Sequence, residues 1–214
     1  GNGGEDEFSG GSGDDRIIAS ADANVIEGGS GADYLQGGAG DDVYIVSNST
    51  DAVGDQIVDS SGYDVIRYSG TGPMVTDGLT GFEGIEEVII DTAELHGTDQ
   101  DDIFDLNQMD VMMNTRIVHG AEGDDQILGT TAQEELRGGA GDDHIVSGGG
   151  QDLLRGGEGE DLIIGSREVD YIDGGSGKDQ LIGGAGDDYY LVEQSEDFEF
   201  DQVEDSSGRR DRLV

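Results

Sequence analysis

Residues 120–191 read GAEGDDQIL GTTAQEELR GGAGDDHIV SGGGQDLLR GGEGEDLII GSREVDYID GGSGKDQLI GGAGDDYYL, eight nonapeptides without a gap or an insertion. Position six is acidic in every unit, with Asp in seven units and Glu134 in the other. Position eight is apolar in every unit, from Ile127 to Tyr190. A fixed period of this kind indicates a repeat architecture in which each unit packs on its neighbours.

Each nonapeptide divides into a turn half and a strand half. Glycines at positions one, two and four permit backbone angles that are closed to other residues, so the first six residues suit a tight loop. The last three residues carry one branched or aromatic side chain and suit a very short strand with that side chain facing inward. Two consecutive units then make one coil, and units n and n+2 lie one above the other.

This stacking brings the position-six carboxylates of adjacent loops together. The predicted pairs include Asp143 with Asp161 and Asp152 with Asp170. Two like charges about 4 Å apart repel by roughly 4 kcal/mol at an effective dielectric near 20, so the arrangement needs a cation. Carboxylates and peptide carbonyls in a flexible loop suit Ca²⁺ better than Mg²⁺ or Zn²⁺. The metal ligands predicted in this block are Asp125, Asp143, Asp152, Asp161, Asp170, Asp179 and Asp188.

Five further nonapeptides occupy residues 1–45, and one more occupies residues 97–105. The third of the five, ASADANVIE, has lost its loop glycines and has Asn24 at position six. We therefore expect a full site between Asp15 and Asp33, and weaker sites on either side of Asn24. The ligands predicted in these units are Asp6, Asp15, Asp33, Asp42 and Asp102.

The composition is that of a chain which cannot fold unaided. It has 40 Gly, no Cys, 33% hydrophobic residues and a formal charge of -40. Low hydrophobicity with high net charge is typical of disorder, so we expect an unfolded chain in the absence of a ligand. The same charge repels nucleic acid and anionic membranes, and no apolar run approaches a membrane span.

The nonapeptide G-G-x-G-x-D-x-U-x resembles the RTX, or hemolysin-type, calcium-binding repeat. A single copy would be a weak signal, but eight in register with five upstream are a strong one. The resemblance implies an all-β, right-handed parallel β-roll, a β-helix solenoid that binds several Ca²⁺ ions. It also implies export through type I secretion machinery, with folding coupled to calcium outside the cell.

The sequence divides into five segments. Two β-roll blocks at 1–45 and 120–191 alternate with a β-rich flanking or capping segment at 46–96, a degenerate repeat with a phase slip at 97–119, and a second flank at 192–214. Residues 37–62 match residues 183–208 at a constant offset of 146, so each block ends in the same kind of flank. We interpret the flank as a cap. Because the chain opens inside a repeat, we expect it to belong to a longer protein.

Catalytic chemistry finds little support in the sequence. The histidines His96, His119 and His144 are scattered, and no H-E-x-x-H or G-x-S-x-G motif occurs. Carboxylate pairs are abundant, but the period explains every one of them. We expect a monomeric, non-enzymatic, calcium-binding module of a large secreted toxin or adhesin, located outside the cell or on the bacterial surface. The alternatives are an accessory β-roll of a secreted protease, lipase or epimerase, and a module that binds glycans or a host cell surface through 46–96.

Overall fold

A computed structural model describes residues 3–77, 82–90, 94–107, 110–113, 116–191, 202–205 and 212–213. These residues form strands, turns and bends. The described ranges contain no helix, and so none that could cross a bilayer. The strands pair in parallel, which confirms the predicted all-β class and the parallel solenoid.

The strands are short and evenly distributed along the chain. The first twelve are β1 (Glu7–Ser12), β2 (Arg16–Ile18), β3 (Val25–Ser30), β4 (Tyr34–Gln36), β5 (Val43–Val46), β6 (Gln56–Val58), β7 (Val65–Tyr68), β8 (Met74–Val75), β9 (Phe82–Glu83), β10 (Glu87–Ile90), β11 (Leu95–His96) and β12 (Ile103–Asp105). The other twelve are β13 (Asp110–Met113), β14 (Ile117–Glu122), β15 (Gln126–Leu128), β16 (Glu135–Ala140), β17 (His144–Val146), β18 (Leu153–Glu158), β19 (Leu162–Ile164), β20 (Tyr171–Ser176), β21 (Gln180–Gly184), β22 (Tyr189–Tyr190), β23 (Gln202–Asp205) and β24 (Arg212–Leu213).

The chain divides into two compact units, and the first comprises residues 1–96 and 108–115. One sheet of this unit has the order β1-β3-β5-β7-β10-β13, and another has the order β2-β4-β6-β9. Strands β8 and β11 form a further parallel pair. Every second strand of the nonapeptide region thus joins the same sheet, as expected for a coil of two units.

The second unit comprises residues 97–107 and 116–214. Its strands stack in the order β14-β16-β18-β20-β22-β24 on one side and β12-β15-β17-β19-β21-β23 on the other. The register is regular: Leu136 pairs with Leu154, and Leu154 pairs with Ile172, so that each step along the sheet spans two nonapeptides. The predicted coil length therefore holds across the nonapeptides.

The position-eight side chains form the core of each coil. In the second block all eight, from Ile127 to Tyr190, are at most 2% exposed. Ile26, Leu35 and Tyr44 are buried in the same way in the first block, while Phe8 and Ile17 are only half-buried. The inward-facing assignment made from the period is confirmed for these residues.

Close stacking of the coils depends on glycine. Gly139 and Gly141, at positions two and four of one nonapeptide, have φ of +136° and +133°. A Cβ at either residue would overlap the carbonyl oxygen of Ala121 or Gly123 in the preceding coil. Glycine at these positions thus supplies both the backbone conformation and the room for one coil to rest on the next.

The flank at 46–96 continues the coiled architecture with longer coils. Tyr44 pairs with Ile66, and Ile66 pairs with Val88, so that each of these two steps is longer than a pair of nonapeptides. Strands β6 to β11 lie in this flank, which confirms the short strands predicted there. The additional residues of each coil lie in turns such as 49–54, so the strands keep the register of the nonapeptide block.

Candidate metal centres

The position-six residues of successive coils are joined by main-chain hydrogen bonds. The N–H of Asp143 donates to Oδ1 of Asp161 at 2.9 Å, and the N–H of Asp125 donates to Oδ1 of Asp143 at 2.9 Å. Each carboxylate therefore has one oxygen fixed by the coil before it. We call such a column of residues a carboxylate ladder.

Within the described residues, each unit contains two ladders. In the second unit they consist of Asp102, Asp125, Asp143, Asp161 and Asp179, and of Glu134, Asp152, Asp170 and Asp188. In the first unit they consist of Asp6, Asn24, Asp42, Asp64 and Glu86, and of Asp15, Asp33 and Asp55. All twelve ligands predicted from the sequence lie in these ladders, and the metal-binding role of each remains a prediction.

The second oxygen of many ladder carboxylates is buried and has no hydrogen-bond partner. This is true of Oδ2 in Asp15, Asp33, Asp42, Asp64, Asp125, Asp143, Asp152 and Asp161. Leaving a buried charged oxygen unpaired is costly, and a bound cation is a group that can satisfy it. The feature thus marks the positions at which a cation would be bound.

The position-one glycine makes room for that oxygen. A Cβ at Gly138 would overlap Oδ2 of Asp143, and a Cβ at Gly156 would overlap Oδ2 of Asp161. The carboxylate folds back over the glycine that begins its own loop. The constant spacing of glycine and aspartate within the repeat thus has a steric cause as well as a chemical one.

Burial disfavours the charged form of these carboxylates. Desolvation raises the pKa of Asp125, Asp152 and Asp161 to about 7 and that of Asp143 to about 6, and neighbouring carboxylates add to the effect. Hydrogen bonds from backbone N–H groups lower the pKa again, but they offset only part of the rise that burial causes. Charged carboxylates in this environment need positive charge close by.

The donor set fits calcium. It consists of carboxylate oxygens in glycine-rich loops, and the described part of the chain provides neither thiolates nor a histidine cluster beside them. Hard oxygen donors in such loops suit Ca²⁺, which accepts irregular geometry and several carboxylates. The residues that would hold it are the ladder carboxylates with an unpaired oxygen.

Three ladder carboxylates differ because a hydroxyl-bearing residue binds them. Oδ2 of Asp102 accepts from the N–H of Thr98 at 2.6 Å, and Oδ2 of Asp170 accepts from the N–H and the hydroxyl of Ser166 at 2.8 and 3.1 Å. Glu134 accepts from the N–H of Thr130 at 2.9 Å and from its hydroxyl. We call these three the capped loops, and those of Asp125, Asp143, Asp152 and Asp161 the open loops.

The position-five acids form a second, exposed set of contacts. The N–H of Asp142 donates to Oδ1 of Asp124 at 2.8 Å, and the N–H of Glu160 donates to Oδ1 of Asp142 at 2.8 Å. These side chains face solvent. They also bridge successive coils, in the direction opposite to that of the buried ladders, which the sequence analysis missed.

The ladders also include residues that the sequence analysis did not predict as metal ligands. Asp55 accepts from the N–H of Asp33 at 2.8 Å, and Asp64 accepts from the N–H of Asp42 at 2.8 Å. The signal was available for Asp64, since residues 59–67 read DSSGYDVIR, a nonapeptide that keeps Gly62, Asp64 and Ile66 in the positions of the repeat. This nonapeptide was not recognised because the longer coil shifts it out of phase with the nonapeptides of residues 1–45.

Comparison with protein families matches the RTX calcium-binding nonapeptide repeat at residues 1–35, 18–48, 119–154, 128–163 and 155–190. Together these matches cover more than half of the chain, and the protein belongs to this family. A search of curated proteins found no match. Membership agrees with the geometry of the open loops and supports calcium as the cation.

Proposed function

We propose that this protein is a non-catalytic, calcium-folded module of a secreted protein. The observation that carries the proposal is the set of unpaired, buried carboxylate oxygens that recur at every open loop. When bound there, Ca²⁺ would supply the positive charge and the coordination that these oxygens lack. Membership of a calcium-binding repeat family supports this assignment.

The module's fold depends on the state of the ladders. Each nonapeptide buries one apolar side chain at position eight, a small contribution for the backbone that it must order. The ladder hydrogen bonds hold acidic groups close together in a chain with a formal charge of -40. Because the carboxylates must lose either their charge or their repulsion for the coils to stack, the free energy of metal binding becomes free energy of folding.

This coupling suits a secreted protein. An unfolded acidic chain could pass through a type I secretion channel where calcium is scarce. It would then fold outside the cell, where extracellular modules bind calcium with a Kd of about 10⁻⁴–10⁻³ M. We place the module, as a monomer, in a toxin or an adhesin that acts outside the cell or on the bacterial surface. Its role would be to drive the export and folding of the parent protein.

Circular dichroism and sedimentation during a calcium titration at pH 7.5 test the proposal. We expect an expanded, disordered chain in calcium-free buffer, and a compact β-rich monomer once calcium is added. Magnesium at the same concentrations is the control, and it should support less folding because Mg²⁺ requires near-octahedral geometry. A β-rich spectrum and a cooperative melt in calcium-free buffer would refute the proposal.

A further inference from the structure

The junction of the first β-roll block with its flank contains a carboxylate cluster unlike those of the nonapeptide loops. One oxygen from each of Asp42, Asp59 and Asp64 lies within 4.8 Å of the other two. Asp42 and Asp64 belong to one ladder, but Asp59 does not. It stands at position one of the sequence 59–67, where the repeat has glycine.

Two of these carboxylates are buried and incompletely paired. Asp42 is 0% exposed and Asp64 is 1% exposed, and Oδ2 of each has no hydrogen-bond partner. The Oδ1 atoms are already used, since Asp42 accepts from the N–H of Asn24 at 2.7 Å and Asp64 accepts from the N–H of Asp42 at 2.8 Å. The unpaired oxygens are thus the ones left for a ligand.

Asp59 is held against the pair by an aromatic hydroxyl. The hydroxyl of Tyr44 donates to Oδ2 of Asp59 at 2.7 Å and accepts from the N–H of Gly37 at 2.7 Å. A Cβ at Gly37 would overlap both Oδ2 of Asp42 and Oδ2 of Asp59, so these two oxygens lie over the same glycine. The cluster is therefore built into the junction between β5 and β7.

No described basic side chain balances the cluster. The ion pairs of the described residues involve Glu94, Glu134 and Glu135, none of which belongs to it. Three carboxylates within 4.8 Å therefore require a cation more strongly than the two successive carboxylates of an open loop do. The ligands are oxygens only, which favours a hard divalent cation.

We infer that Asp59 joins Asp42 and Asp64 in a three-carboxylate Ca²⁺ site, with one more carboxylate than the open loops provide, and that this site has the highest calcium affinity of the described loops. The inference rests on the proposed function for its choice of cation. It assigns Asp59 as a ligand and Tyr44 as the residue that positions it. Affinity for Ca²⁺ rises with the number of charged ligands, so the third carboxylate should strengthen this site about tenfold over a two-carboxylate site.

Calorimetric titration of the full chain with CaCl₂, alongside equilibrium dialysis with ⁴⁵Ca, tests the site. Asp59→Asn removes one charge with little change of shape, and Asp41→Asn removes one charge from the exposed position five of the same region. We expect Asp59→Asn to weaken the tightest binding step about tenfold, or to abolish it, and Asp41→Asn to leave that step within about twofold of the unsubstituted protein.

A second variant separates binding from folding. Asp59→Gly restores the residue that the nonapeptide has at this position, and it should fold in excess calcium with the same loss of the tightest step. If the two Asp59 variants retain the tightest step, or if Asp41→Asn loses it equally, the three-carboxylate site is wrong. A protein that folds without calcium at pH 7.5 would instead refute the proposed function, so the two failures are distinguishable.

Discussion

The open and capped loops of the second unit share a position in the repeat but differ in how the carboxylate is satisfied. Asp143 and Asp170 are 2% and 0% exposed, and both accept a main-chain N–H from the preceding coil. Oδ2 of Asp143 has no hydrogen-bond partner, whereas Oδ2 of Asp170 accepts two hydrogen bonds from Ser166. The residue at position two makes this difference.

The backbone differs along with the side chain. Position two of the Asp143 loop is Gly139, with φ of +136°, and among the described non-glycine residues only Arg116 and Ala121 have a positive φ. Thr98, Thr130 and Ser166 therefore keep ordinary backbone angles, in which their N–H and hydroxyl turn toward the carboxylate. A repeat can thus satisfy its buried acid either with a cation or with its own hydroxyl, and the choice depends on one residue.

The two kinds of loop are not segregated. In one ladder the capped residues Glu134 and Asp170 alternate with Asp152, whose Oδ2 is unpaired. In the other ladder Asp125, Asp143 and Asp161 are consecutive open loops. We therefore expect the Asp125–Asp161 side of the second unit to depend on calcium more strongly than the Glu134–Asp170 side does.

Acidification of the calcium-free protein should have the largest effect. Burial raises the pKa of Asp125, Asp152 and Asp161 from 3.8 to about 7, so the folded state binds protons that the unfolded state releases. The penalty from these groups is absent below the unfolded pKa of 3.8, grows as the pH rises toward 7 and is complete above it. We expect circular dichroism in calcium-free buffer to show more β-structure near pH 4.5 than at pH 8.

The calcium-loaded protein provides the control for this titration. Protons and the cation occupy the same oxygens and both favour the folded state, so the calcium concentration needed for folding should fall as the pH falls from 7 to 5, and the stability gained from excess calcium should shrink. A β-content that is independent of pH in calcium-free buffer would show that the open-loop carboxylates do not limit the stability of the fold.

A pair of alanine substitutions should give the next largest effect. Asp161→Ala and Asp170→Ala each remove the acceptor for a main-chain N–H of the preceding coil, at 2.9 Å in both cases. Only Asp161→Ala also removes an oxygen that has no partner within the protein. We expect Asp161→Ala to raise the calcium midpoint of folding about tenfold or more, and Asp170→Ala to change it less than about threefold.

Both variants should melt at a lower temperature than the unsubstituted protein, because each loses a buried hydrogen bond. The comparison therefore rests on the calcium midpoint, measured by circular dichroism, and not on the melting temperature. Equal shifts of the midpoint would mean that the hydroxyl of Ser166 does not substitute for a cation.

Removal of one capping hydroxyl should have a smaller effect. Ser166→Ala deletes the hydroxyl that donates to Oδ2 of Asp170 at 3.1 Å but keeps the N–H bond at 2.8 Å. The hydrogen bonds from Ser166 lower the pKa of Asp170 and partly offset the effect of burial, so the loss of the hydroxyl bond should raise that pKa further. We expect a loss of about 1 kcal/mol in the free energy of unfolding in excess calcium, measured with denaturant.

The nine-residue period of the sequence alone predicted much of this architecture. Spacing alone placed Leu136 and Leu154 in the core and brought Asp143 next to Asp161, because two nonapeptides complete one coil. Local turn chemistry and one apolar side chain per unit specify the path of such a fold, since each coil packs only on its neighbours. The features that the sequence predicted correctly are therefore those governed by contacts between neighbouring coils.

The sequence analysis failed where the coil length changes. The longer coil preserves the register of Tyr44 with Ile66 but destroys the period, so Asp55 and Asp64 did not appear as ladder residues. The capping role of Thr130 was hidden for another reason, because GTTAQE looks like a degraded glycine loop. The structure shows instead that the hydroxyl residue meets the same requirement by a different bond.

The smallest expected effect tests the backbone side of the comparison. Ala121 stands at position two of the Asp125 loop, where other open loops have glycine, and its φ is +94°. That conformation is unfavourable for a residue with a Cβ, and the loop has no capping hydroxyl in return. Ala121→Gly should therefore raise the free energy of unfolding in excess calcium by about 0.5–1 kcal/mol, with no change in calcium stoichiometry.

The control is Ala132→Gly, at position four of the capped Glu134 loop, where the alanine does not have a positive φ. There the added freedom of the unfolded chain is the main consequence, so the free energy of unfolding should fall by about 0.5–1 kcal/mol. Chemical denaturation in excess calcium measures both variants. Changes of opposite sign would establish that the open loop holds its alanine in a strained, left-handed conformation and that the capped loop does not. Two losses of similar size would mean that Ala121 is not strained, and that the hydroxyl alone distinguishes the two kinds of loop.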